Sequence, residues 1–164
     1  DYYSEALQIY QSQGDVAGQI RELTNLGEVA YQEQKYEEVG QYFSEAQNLL
    51  SELNEPLVQD LSRLGYLALS MGDNARKVAT LIDEPTMLIT SVAYYSTAEE
   101  IFRRLDMKPN QAQALGAIGI ILFEQGEVPI ARQFIETSIK IYIEIGYTIP
   151  ASILDTSNKL NTQP

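Results

Sequence analysis

Leu23-Thr24-Asn25-Leu26-Gly27-Glu28-Val29-Ala30 decides how this chain is read, because its frame Leu-x-x-Leu-Gly-x-x-Ala returns twice more. It stands again as Leu61-x-x-Leu64-Gly65-x-x-Ala68 and as Leu115-x-x-Ile118-Gly119-x-x-Leu122. Apolar residues three, four and seven places apart share one face of a helix, so each copy predicts a helix, here termed helix A. A second set alternates with it: Tyr2-Tyr3-Ser4-Glu5-Ala6, Tyr42-Phe43-Ser44-Glu45-Ala46, Tyr94-Tyr95-Ser96-Thr97-Ala98 and Phe134-Ile135-Glu136-Thr137-Ser138. Each puts two large residues a turn before a small one and runs on into an amphipathic tail, which predicts helix B.

The distances between these marks test the alternation. From the small residue of helix B to the next glycine is 21, 19 and 21 residues, and from glycine to the following small residue 19, 33 and 19. Near-constant connections are the signature of stacked helical repeats, each of which buries its apolar face only against its neighbours. The surplus of 14 residues in the second hairpin falls between about Asp73 and Ser91. Residues 74–82 are expected to form a short helix and 86–105 a long one that starts at Asp83-Glu84-Pro85. Turns are expected at Gly14-Asp15, Asn54-Glu55-Pro56, Gly72-Asp73, Lys108-Pro109-Asn110, Gly126-Glu127 and Gly146. The glycines inside helix A each cost about 0.5–1 kcal/mol relative to alanine, so their recurrence predicts close helix crossings.

These residues resemble the tetratricopeptide repeat. The matches are Leu23, Leu26, Gly27, Ala30, Val39, Phe43 and Ala46; Leu61, Leu64, Gly65, Ala68 and Gly72; and Leu115, Ile118, Gly119, Leu122, Gly126, Ala131, Ile135 and Ser138. The resemblance spans about residues 1–146 and departs from the pattern in a period near 40 rather than 34 and in the absence of Trp. It is similar in this to the long repeats of kinesin light chains. It implies an all-α, right-handed solenoid of antiparallel hairpins in one domain: a half repeat over 1–13, repeats over 16–53, 56–105 (with the insertion near 74–91) and 110–146, and a capping segment over 147–164. The chain then opens in mid-repeat, as if a helix A preceded it.

Composition narrows function. Twenty-three Asp and Glu against eleven Lys and Arg give a net charge of −12, which repels nucleic acid and anionic membrane surfaces. The chain has neither Cys nor His, which removes thiolate and imidazole chemistry and most metal sites. No enzyme activity, cofactor or metal is therefore expected. No signal peptide or membrane span is read, and a cytoplasmic location is favoured.

The family resemblance implies that helix A lines a concave face where a partner's peptide is held. Helical spacing selects Arg21, Asn25 and Glu28; Gln59, Ser62, Arg63 and Tyr66; and Gln113, Ile120 and Phe123. The apolar members either line this groove or pack beneath the insertion or the chain end. Asn25 can meet a peptide backbone through both its carbonyl and its amide. With only Arg21, Asn25 and Arg63 on this face, a clamp for a C-terminal carboxylate is not expected. The expected partner is a protein or peptide with apolar and basic residues, and the alternative is a structural module that self-associates through exposed repeat edges into a homo-oligomer. The aromatic pairs Tyr2-Tyr3, Tyr42-Phe43 and Tyr94-Tyr95 are expected in the core. The carboxylate pairs Glu37-Glu38, Asp83-Glu84 and Glu99-Glu100 are expected to face solvent, since adjacent helical residues point apart.

Overall fold

A computed structural model describes residues 2–50, 58–82 and 86–162. Every regular element among them is a helix: α1 (Tyr2–Gln13), α2 (Val16–Gln32), α3 (Tyr36–Leu50), α4 (Val58–Ile82), α5 (Thr86–Arg104), α6 (Lys108–Glu124), α7 (Val128–Glu144) and α8 (Ala151–Asn161). None of these helices is long and apolar enough to cross a membrane. The expected turn at Asn54-Glu55-Pro56 and the expected helix start at Asp83-Glu84-Pro85 lie outside the described residues.

Five of the helices end in one way. At residues 14, 34, 106, 126 and 146 the backbone turns left-handed, with φ between 54° and 82°. In each case the next amide bonds back five residues, as Asp15 N–H does to Tyr10 O and Lys35 N–H to Ala30 O. This closure satisfies carbonyls that the helix end would leave bare. Glycine is the residue suited to it and fills positions 14, 126 and 146, so those turns are legible in the sequence. Gln34 and Asp106 adopt the same conformation without glycine's freedom, and the Gln34 turn is missing from the expected set.

The chain divides into two compact units, Asp1–Leu67 and Ala68–Pro164, with the division inside α4. In the first, Asp15 caps α2 by accepting a 2.9 Å bond from Gly18 N–H. Gly18 lets α1 approach α2: a β-carbon there would stand 2.5 Å from the Tyr10 ring. α2 and α3 pack on each other and bury Ile20, Leu23, Leu26, Ala30, Val39, Phe43, Ala46 and Leu50. Gly27 does not meet Ala46, the small residue of helix B. A β-carbon there would instead touch the tip of Leu67, at 2.9 Å.

In the second unit the insertion takes a different form from the one expected. Residues 74–82 are the end of α4, not a separate short helix, and Gly72-Asp73 is no turn. The Tyr95 ring lies over Gly72, where a β-carbon would come within 2.8 Å of it. Ser91 Oγ donates to Gly72 O at 2.7 Å, and the Tyr95 hydroxyl donates to Asp73 Oδ1. Gly72 therefore allows a crossing with α5 inside a continuous helix. The α6–α7 crossing is tighter, since a β-carbon on Gly119 would meet the Ile135 side chain at 2.8 Å and its backbone nitrogen at 3.1 Å. Ser138 fixes the same pair by donating to Ala112 O at 2.7 Å. α8 packs on both α6 and α7, with Ile153 seated over Gly116.

The aromatic pairs divide between core and surface. Phe43 and Tyr95 are buried, while Tyr3, Tyr42 and Tyr94 are half-buried and Tyr2 is 77% exposed. Burial, with the Asp73 bond second, holds the Tyr95 hydroxyl far above the usual phenol range. Glu37, Glu38 and Glu100 face solvent, whereas Glu99 is half-buried and accepts a 2.8 Å bond from Gln111.

Candidate functional site

Seven of the ten selected residues lie in the first unit. On α2, Arg21, Asn25 and Glu28 follow one face at intervals of four and three, and on α4 Gln59, Ser62, Arg63 and Tyr66 do the same. Arg63 joins the two helices: its Nε and Nη2 donate to the two oxygens of Glu28 at 3.2 and 2.6 Å. A forked contact of this kind fixes the guanidinium plane, although both side chains remain about one-third exposed, so it orients more than it stabilises. One turn on, Tyr66 is 46% exposed. Ser62 bonds to its own helix at Gln59 O, and Gln59 is open to solvent.

Glu22 was not selected from the sequence, yet it shapes this face. It is 6% exposed and accepts a 2.9 Å bond from Asn25 Nδ2, which fixes which edge of the Asn25 amide points outward. The signal was the Glu-x-x-Asn spacing, which places the two side chains one turn apart. With one Nδ2 hydrogen engaged, the amide keeps its carbonyl to meet a ligand's N–H and its second N–H to meet a carbonyl. Thr24, one residue away, is buried and back-bonds to Ile20 O, so it belongs to the interior.

The three residues of the second unit do not form an open groove. Ile120 is 8% exposed and belongs to the core cluster of Ala131, Ile135, Tyr142, Ile153 and Leu160, against which Phe123 is half-buried. Burial beneath the C-terminal helix, the other reading of these residues, is what the packing gives, because α8 lies on α6. Gln113 is exposed, and Glu124 accepts a 2.7 Å bond from Arg76.

Charge follows the same division. Residues 1–67 hold twelve carboxylates against three basic side chains, a net −9, and residues 68–164 hold eleven against eight, a net −3. The face around Arg63 and Tyr66 thus sits on the strongly acidic unit.

No protein-family model and no curated protein matches the chain. Among solved structures it is similar to the crystal structure of BtubC (BKLC) from P. vanneervenii, at 18% identity and a TM-score of 0.38 over 97% of this chain and 79% of that one. At that TM-score, what is known of the fold rests on the helices and crossings themselves.

Proposed function

We propose that the chain is a protein-interaction scaffold, built of helical repeats of the tetratricopeptide kind, that holds a partner's extended segment against the α2–α4 face of its first unit. The observation that carries this reading is the cross-helix pair Glu28–Arg63 with Tyr66 exposed beside it. Tyrosine and arginine held in place lose little freedom on binding and are the side chains most often at the centre of protein interfaces. Asn25, pinned by Glu22, offers an oriented carbonyl to a peptide N–H. The net −9 of this unit favours a segment in which basic residues flank apolar ones.

Dodecapeptides that alternate Leu with Lys, and their Leu–Glu counterparts, test this by titration against the chain. The Lys series should bind and the Glu series should not. Tyr66→Ala should weaken binding about tenfold or more, as removal of an interface anchor does, with an unchanged helical spectrum. Equal binding by Tyr66→Ala and Asn25→Ala would remove the α2–α4 face from the proposal. Self-association through repeat edges is the competing reading, and the exposed face of α1 supports it; the shared acidic charge opposes it.

A further inference from the structure

Glu22 on α2 is 6% exposed and is the one buried charged side chain among the described residues. Carboxylates are rarely sunk this far unless a cation meets them, since enclosing an unpaired charge is unfavourable. Elsewhere in the chain that rule is kept: Glu28, Glu99 and Glu124, each partly exposed, pair with Arg63, Arg103 and Arg76. All eleven Lys and Arg lie among the described residues, and none of them pairs with Glu22. Its single bond among these residues is the one that Oε2 accepts from Asn25 Nδ2, at 2.9 Å. Oε1 accepts none, and no enclosed side-chain oxygen of the described residues lacks a partner, so Oε1 reaches the surface. The result is a carboxylate set deep in the first unit with one oxygen open, a helical turn from Asn25 of the α2–α4 face.

We infer that Glu22 is the subsite that receives a Lys or Arg side chain of the segment held on the α2–α4 face. The inference rests on the proposed function and adds what selects the partner: a cation on a stem long enough to reach a sunken carboxylate. A Lys ammonium carries three donors, enough to bridge Glu22 Oε1 and the Asn25 carbonyl, and an Arg guanidinium offers five. Glu28, a second carboxylate of this face, is already held by both donors of Arg63. A charge-assisted bond made away from water is stronger than one at the surface, so the deep carboxylate discriminates where the exposed ones do not. The net −9 of the unit draws any cation toward it, whereas Glu22 selects by reach.

The probes are dodecapeptides that alternate Leu with Gln and carry at one central position Lys, Gln or 2,3-diaminopropionic acid, a cation on a single methylene. Each is titrated by fluorescence anisotropy. The Lys peptide should bind the wild type about tenfold or more tighter than the Gln peptide, and the short cation should gain little, because its stem stops short of Oε1. Glu22→Gln keeps the shape and the acceptor for Asn25, so it should retain the helical spectrum while abolishing the preference for Lys. Glu45→Gln removes the same charge from an exposed site on α3 and should keep that preference. The comparison of long and short cations needs no variant, so it decides even where Glu22→Gln does not fold. A Lys preference that survives Glu22→Gln, or equal binding of the long and short cations, overturns the inference; the proposed function then stands if Tyr66→Ala still weakens the Lys peptide. Equal binding of the Lys peptide by wild type, Tyr66→Ala and Asn25→Ala, or no binding at all, overturns both.

Discussion

α1 and α8 are nearly equal in length, at 12 and 11 residues, yet α1 buries no residue and α8 buries Ile153, Thr156 and Leu160. Neither is long enough to be stable by hydrogen bonds alone, so tertiary contacts decide how firmly each is held. α8 is fixed by apolar burial on α6 and α7, and α1 packs on α2 through half-buried side chains and the Tyr10 ring over Gly18. The units that contain them differ in the same sense. The second crosses its helices at backbone distance at Gly119, while the first meets a side-chain tip at Gly27 and carries three times the net charge. The two units thus differ in net charge and in what their helical glycines meet.

The glycine crossings give the largest test of this contrast. Gly119→Leu should destabilise by more than about 3 kcal/mol in chemical denaturation, because the Ile135 backbone cannot move aside. Gly27→Ala should change stability by less than about 1 kcal/mol, since the Leu67 tip can rotate and alanine is the better helix former. Equal losses would mean that the two crossings are alike.

The terminal helices come next. Ile153→Ala should cost about 2–4 kcal/mol and speed amide exchange throughout α8, whereas Ile9→Ala should stay within about 0.5 kcal/mol. A large loss at Ile9 would show that α1 is held by contacts along its exposed stripe.

Alkali should weaken the second unit through Tyr95. Its folded pKa is raised above the unfolded value near 10, so its stabilisation is complete below about pH 10 and is lost as pH climbs toward the folded value. Tyr95→Phe should flatten that limb of a stability–pH curve. A limb that keeps its slope would assign the loss to other groups.

Two smaller effects belong to the first unit. Gln34→Gly should stabilise by about 1 kcal/mol in thermal melts, because a left-handed backbone costs roughly 1–2 kcal/mol for a residue with a β-carbon. Raising salt from 20 to 500 mM should slow amide exchange in α3 more than in α7, by a few tenths of a kcal/mol, as screening relieves a charge of −9 more than one of −3.

The sequence by itself determined that the described residues are helical, that the apolar frame recurs, and that Gly119 carries a close crossing. These are local or periodic properties: Leu23, Leu26 and Ala30 share a face whatever packs on them, and a helical glycine is retained only where a side chain does not fit. Helical spacing alone also puts Arg21, Asn25 and Glu28 on one line of α2. Three things were decided only by the tertiary structure. Gly72 reads as a turn until the Tyr95 ring is seen to lie on it, since glycine serves both helix ends and helix crossings. The turn at Gln34 has no glycine to announce it, and it shows only in the backbone, which turns left-handed there and closes through Lys35 N–H on Ala30 O. Ile120 lies on the same helical face as a groove residue would, and it is interior because α8 returns to pack on α6, a contact between residues some thirty positions apart that no local pattern encodes.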